Sequence, residues 1–206
     1  MIVLAAGASQ RMGRPKPLLE FDQETCLSLV LGSCFSSLAT ETILVVGAEN
    51  DAIRDEAIRS ARQRRASSFD IVVNARHERG QTSTLKAGLE AMSGKSDAFV
   101  VMPVDLPLVT CREIDMLIQR FEMKPRGRNI FIATHENRRG HPVLFAESHR
   151  LPILEMEDDD PLNEYIRVRE GETEEVDMGN PGVTIEMNTH EQYLRVLSLY
   201  RGAGGA

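Results

Sequence analysis

A chain of 206 residues with 42% hydrophobic side chains can build one α/β domain of ordinary size around a real core. Lys and Arg total 24 against 31 Asp and Glu, a formal charge of −7, which argues against a surface that wraps nucleic acid or an anionic membrane. The three cysteines, Cys26, Cys34 and Cys111, lack Cys-x-x-Cys or Cys/His spacing, so they argue against a zinc site and for a reducing, cytoplasmic setting, and no run has the pattern of a signal peptide or the length of a membrane span.

Residues 2–6 read as a strand. Leu27, Val30, Leu31, Cys34, Phe35 and Leu38 recur at helical spacing. Thr42–Gly47 is a β-branched run typical of a buried strand. Ile53, Ala57, Ile58 and Ala61 predict a helix with a basic end, followed by a short strand at 71–74. Residues 82–92 have helical spacing through Leu85, Gly88, Leu89 and Met92, and 98–104 is the clearest buried strand. Thr110 and Glu113 make a capping box ahead of another helix. Residues 124–150, interrupted by Pro125, Gly127, Gly140 and Pro142, predict a hairpin-like excursion with strands at 130–133 and 142–145. The acidic stretch EMEDDD, 155–160, reads as a solvated turn, and Thr189 with Gln192 starts a last helix. One domain over 1–200 and a disordered tail over 201–206 complete the expected organisation.

This alternation predicts a Rossmann-like three-layer α/β domain with a mostly parallel central sheet. Ligands in such sheets bind beyond the carboxyl ends of the strands, which directs attention to the residues after Ala6, Asn74 and Val104.

The first of these places is the most informative. LAAGASQRMGRPKPLL, 4–19, runs from a strand into a loop with Gly7, Gly13, Arg11, Arg14 and Lys16. Glycines let the backbone approach a ligand closely, successive N–H groups cradle an anion, and Arg and Lys add full positive charge. The orders of a P-loop and of a dinucleotide fingerprint are both absent. On residue types alone the loop is a weak signal, equally readable as a solvated surface turn. The full pattern, Leu4, Ala5, Ala6, Gly7, Ser9, Arg11, Met12, Gly13 and Lys16, resembles the signature of the MobA-like nucleotidyltransferases.

That resemblance implies the nucleotide-diphospho-sugar transferase type of fold. It implies that this loop wraps a nucleoside triphosphate, with Arg11 and Lys16 neutralising it as catalytic residues. RGQTSTLKAGL, 79–89, is similar to the family segment that contacts base and ribose, which makes Gln81, Ser83 and Thr84, with Asn74 just upstream, nucleotide-binding candidates. VVMPVDLPLVT, 100–110, brings Asp105 to the place of the family's catalytic, magnesium-binding carboxylate. A carboxylate buried there alone would be costly, and a magnesium ion bridging it to phosphates would offset that cost. EMNTHEQY, 186–193, departs from the usual D-x-D-T-P-E-D-Y: Asn188 stands where a second metal-binding Asp is common. An Asn carbonyl can still ligate magnesium, and the lost charge predicts weaker binding.

NRRGHPVLF, 137–145, resembles the family's acceptor-side segment, with Gly140 and His141 as substrate-binding candidates and Arg138 and Arg139 as possible partners of an acceptor phosphate. The family's next motif, G-D-x-G-A-R, is replaced by MEDDDPLNEYIR, 156–167, which leaves the acceptor open. Ala5-Ala6-Gly7 is the form that accompanies CTP in the family, the Cβ of Ala6 narrowing the base pocket against a purine. The implied reaction is transfer of CMP from CTP to a phosphorylated small molecule, molybdopterin or the molybdenum cofactor first, with loss of pyrophosphate. Rivals are the same chemistry on a sugar phosphate, a nucleotide-binding protein without catalysis, and a metal-dependent glycosyltransferase.

Overall fold

The computed structural model describes residues 1–7, 14–48 and 50–203. Its frame is a seven-stranded sheet. In chain order the strands and helices that build it are β1 (Ile2–Ala5), the small hairpin β2 (Glu20–Phe21) and β3 (Glu24–Thr25), α1 (Cys26–Phe35), β4 (Thr42–Gly47), α2 (Asp51–Arg64), β5 (Phe69–Asn74), α3 (Gln81–Ala91) and β6 (Ala98–Pro103). Then come α4 (Cys111–Glu122), β7 (Ile130–His135), β8 (Arg138–Ala146), α5 (Arg150–Leu154), α6 (Leu162–Arg167), β9 (Thr173–Asp177) and α7 (His190–Ala203).

The sheet order is β5-β4-β1-β6-β8-β7-β9. β8 alone runs against its neighbours, pairing antiparallel with both β6 and β7; the other pairs are parallel. The mostly parallel sheet expected from the alternation is therefore present. The chain builds outward from β1 through β4 to β5, then returns to the other side of β1 as β6. This reversal of order opens a crevice at the carboxyl ends of β1 and β6, where open α/β sheets bind ligands.

Period-two alternation divides the strands between two cores. Val3, Ala5, Leu44, Val46, Val100 and Met102 point to one face and pack with Leu27 and Leu31 of α1, Ala57 of α2 and Leu117 of α4. Ile2, Leu4, Ile43, Val45, Phe99 and Val101 point to the other and pack with Leu85 and Leu89 of α3, Ile153 of α5 and Tyr165 of α6. Phe99 and Phe145 stack across β6 and β8 at 5.3 Å between centroids, a geometry that contributes about 0.5–1.5 kcal/mol beyond area burial. Gly88 lets α3 lie against the sheet: a Cβ there would sit 2.5 Å from Ile2 Cγ2 and 3.0 Å from Val45 Cγ2. A third cluster, Leu19, Phe21, Cys26, Met187 and Val196, ties α7 to the small hairpin.

Three sequence expectations are corrected. The hairpin over residues 130–146 is an integral extension of the central sheet, because β8 pairs with β6 from Ala98↔Ala146 to Val101↔Val143. Its tight turn uses Glu136 and Asn137 at φ 50° and 61°, the two left-handed residues a twisted two-residue hairpin requires. The acidic stretch is not a solvated turn throughout, since Asp158 is buried. The helix α7 runs through Ala203, so the tail is not disordered from residue 201. Arg201 pairs with Asp22 at 2.6 Å, and Tyr200 packs edge-on against Phe21 at 5.5 Å.

Candidate nucleotide and acceptor site

Lys16 opens a short 3-10 turn, Lys16–Leu18, between Pro15 and Pro17. Leu18 N donates to Pro15 O at 2.9 Å, and Cys26 N donates to Leu19 O at 2.8 Å, which fixes the turn against the start of α1. Asp105 follows β6 directly. Val104 N donates to Leu4 O at 3.1 Å, and the buried Cys26 thiol donates to Val104 O at 3.0 Å, so the strand end before Asp105 is held from two sides. Burial pushes the Cys26 thiol well up, and the Asp105 carboxylate adds to the shift. Cys26 is thus a packing and positioning group rather than a nucleophile. Asn188 precedes α7, whose reciprocal cap has Gln192 N donating to Thr189 Oγ1 at 3.2 Å and Asn188 N donating to Gln192 Oε1 at 2.7 Å.

These three remote segments meet at one point. Lys16 Nζ donates to Asp105 Oδ2 and to Asn188 Oδ1, both at 2.7 Å. The Lys16 and Asp105 side chains are 20% and 14% exposed, so water screens the pair only in part. A carboxylate oxygen and an amide oxygen converging on one positive charge form the donor set a divalent cation takes from a protein when phosphates and water complete its shell. The ammonium stands in for such an ion, and the residues fit one. Among the described residues no group of three or more His, Cys, Asp or Glu has metal-holding geometry.

The pair borders a cavity of about 380 Å³ lined by Leu4, Ala5, Ala6, Gly7, Lys16, Pro17, His77, Gly80, Gln81, Thr84, Pro103, Val104, Asp105, His141 and Glu186. A Cβ placed on Gly7 would meet no atom of the described residues within 4 Å, and Gly7 lines the cavity. Nine sequence candidates, Leu4, Ala5, Ala6, Gly7, Lys16, Gln81, Thr84, Asp105 and His141, thus line one hollow. Asn74 and Ser83 stand behind it. Asn74 Nδ2 donates to Ser83 Oγ at 3.0 Å and to Thr84 Oγ1 at 3.2 Å, while Ser83 Oγ donates to Gly80 O at 2.8 Å. This buried network joins the end of β5 to the first turn of α3 and positions Gln81 and Thr84. Ser9, Arg11 and Gly13 lie outside the described residues.

A second cavity of about 440 Å³ shares Gln81, His141 and Glu186 with the first and continues past Ile132, Arg139, Gly140, Val143, Leu162 and Ile166 to Asp159 and Asp160. Gly140 is required by close approach: a Cβ would lie 1.9 Å from the Val183 carbonyl oxygen. Burial holds the His141 imidazole below its usual pKa, with the Glu186 and Asp105 carboxylates pulling partly the other way, so the ring is neutral at pH 7. Arg139 is committed elsewhere: it grips both Glu170 oxygens at 2.7 Å and Glu175 at 2.7 Å.

Asp159 and Asp160 of the acidic segment line this second cavity. Lys86 approaches the Asp158 carboxylate at 3.0 Å, Arg76 at 3.3 Å and Arg79 at 3.5 Å, and the Lys86 hydrogen bond leads in holding that carboxyl below the usual range. The Asp158 carbonyl accepts from Ser83 N at 3.1 Å, capping the first turn of α3, and the Asp160 carbonyl accepts from Thr82 Oγ1 at 2.5 Å. Sequence reasoning missed Glu186, His77 and Gly80 at the site. Glu186 had a readable signal, because it stands at the first acidic position of the D-x-D-like segment.

A family model for the MobA-like NTP transferase domain matches residues 1–176. The chain belongs to the MobA-like NTP transferase family. It is a nucleotidyltransferase, and the candidate residues Glu186 and Asn188 lie beyond the matched segment. Over 199 residues it is 22% identical to the molybdenum cofactor cytidylyltransferase of Escherichia coli, covering 97% of this chain and 95% of that protein. The crystal structure of an Rv0371c homologue from Mycobacterium sp. strain JC1 has a TM-score of 0.79 at 22% identity, over 98% of this chain and 96% of that one. The structure of Rv0371c from Mycobacterium tuberculosis in complex with manganese has a TM-score of 0.71 at 21% identity, over 96% of each chain. These likenesses establish the fold.

Proposed function

We propose that this transferase moves CMP from CTP to a phosphorylated acceptor of the molybdopterin class, with magnesium, and releases pyrophosphate. The observation that carries the reading is the convergence of Asp105, Asn188 and Lys16 beside a wall made of Ala5, Ala6 and Gly7. Asp105 and Asn188 would hold the metal, which supplies charge neutralisation on the phosphates when bound. Manganese in the related Rv0371c structure supports a divalent ion in this fold. Ala6, 2% exposed, contributes the Cβ that favours the smaller pyrimidine.

An acceptor phosphate oxygen attacks the α-phosphorus, the bond to the bridging oxygen breaks, and pyrophosphate leaves with that electron pair. A phosphate monoester dianion is nucleophilic without a general base, so positioning and charge stabilisation are what the protein supplies. Lys16 and Arg11 neutralise the phosphoryl and leaving-group charge. His141, neutral and shared by both cavities, orients the acceptor. The three free cysteines support a cytoplasmic setting, and no described helix is long and apolar enough to cross a membrane.

Pyrophosphate release from CTP, GTP, ATP and UTP, each with magnesium and either molybdopterin or glucose 1-phosphate, tests this reading. Release with CTP and molybdopterin should exceed every other pairing. Faster release with GTP would overturn the base preference, and release only with glucose 1-phosphate would overturn the acceptor.

A further inference from the structure

The Cβ of Ala6 sorts bases by size, and size does not separate cytosine from uracil. The two rings differ at their 4-position, an amino group in one and a carbonyl oxygen in the other. Telling them apart takes a polar group whose hydrogen-bonding sense is fixed. Asp105 and Lys16 mark the phosphate end of the first cavity, beyond β6, while His77, Gln81 and Thr84 line it elsewhere. His77 lies against the end of β4, where a Cβ on Gly47 would come 3.1 Å from its Cγ. β4 is two strands from β6, roughly 10 Å across the sheet at about 4.8 Å per strand, so the imidazole stands a nucleoside's length from the phosphate end.

Thr84 Oγ1 already accepts from Asn74 Nδ2 at 3.2 Å. The Gln81 amide holds both a donor and an acceptor and can turn either one to a base. His77 has no such freedom. Its Nδ1 lies 3.2 Å from the Asn74 carbonyl oxygen, and a carbonyl only accepts, so this nitrogen carries the proton. The neutral ring then offers Nε2 as an acceptor alone. Nε2 is not sealed in the protein, and among the described residues it has no hydrogen-bond partner.

We propose that His77 is a specificity-determining residue for the base: Nε2 accepts a hydrogen bond from the 4-amino group of cytosine and meets the 4-carbonyl oxygen of uracil lone pair to lone pair. Asn74, through its carbonyl, is the positioning residue that fixes the tautomer. Uracil loses the bond and leaves two acceptors unpaired, which is how a site built around a donor turns away an analogue without it. This inference rests on the transferase reading and deepens it, because ring size alone leaves CTP and UTP equivalent.

The test is calorimetric binding of CTP, UTP and the pyrimidin-2-one triphosphate, which has no 4-substituent, to the full chain with magnesium at about pH 8, above the ordinary imidazole range. CTP should bind tightest and UTP weakest, about tenfold or more apart. His77→Phe keeps a ring and removes the acceptor; it should weaken CTP and bring all three within about twofold. His77→Gln, whose amide can offer either group, should narrow the spread as well, and melting temperatures show that each variant is folded. Equal binding of CTP and UTP by the natural chain, tighter binding of UTP, or a CTP preference that survives both substitutions would overturn the proposal. If no nucleotide binds the natural chain, the transferase reading falls first, so the two failures are distinguishable.

Discussion

Asn188→Asp adds one negative charge at the point where Lys16 Nζ now sits 2.7 Å from the amide oxygen. In a water-like dielectric, a unit charge at that distance attracts a monocation by about 1.5 kcal/mol and a dication by about 3 kcal/mol. The added charge therefore favours a divalent ion over the resident ammonium by about 1.5 kcal/mol, roughly tenfold in metal affinity. The contact of Asn188 Nδ2 with Glu186 Oε2, at 3.0 Å, would become carboxylate against carboxylate, and a bound dication relieves that repulsion, which pushes the same way. The assay is a manganese titration followed by electron paramagnetic resonance, with CTP present, alongside the magnesium concentration for half-maximal pyrophosphate release. Both should shift about tenfold lower. An unchanged or raised requirement, in a variant whose melting temperature shows it folded, would refute a metal between Asp105 and Asn188.

Two further outcomes follow from packing and burial. Gly140→Ala forces the turn at Pro181–Thr184 to retreat from a Cβ 1.9 Å from Val183 O; the overpacking should cost about 1–3 kcal/mol, or about 3–10 °C in melting temperature, read by calorimetry, and a midpoint within about 1 °C of the natural chain would contradict the close approach. Burial holds His149 below its usual pKa, against the pull of Glu172, while its Nδ1 lies 2.8 Å from Tyr165 Oη. The unfolded chain then takes up this proton first, near pH 6.5, so the contribution is full above that value and is lost as pH falls toward the lower folded pKa. Melting temperature should drop between about pH 7.5 and pH 5.5, and drop less in His149→Gln; equal drops would remove His149 from the account.

How much of this was readable in the sequence depended on where each residue's partners lie. β4 was legible to the residue because a buried parallel strand is a continuous β-branched run. β9, Thr173–Asp177, was not, because as an edge strand it carries Glu174, Glu175 and Asp177 and has no apolar run. The turn at Glu136 and Asn137 was hidden because it takes left-handed backbone without glycine. At the site, Lys16 and Asp105 were legible as motif residues, but their direct contact was not, since 89 positions separate them. Asp158 was the clearest miss: an acidic run reads as solvated, and only the fold brings Arg76, Arg79 and Lys86 around it. Arg139 failed the other way, a cation assigned to an acceptor phosphate that two local carboxylates already hold.

The most direct test of the central claim is CTP binding at equilibrium, measured by calorimetry with and without magnesium, in the natural chain and in Lys16→Ala and Asp105→Ala. The account predicts magnesium-dependent binding, tighter for CTP than for GTP, and weakened at least tenfold in each variant, about the 1.5–3 kcal/mol expected for a hydrogen bond to a charged group. Binding that ignores magnesium, or that survives both substitutions at full strength, would contradict it.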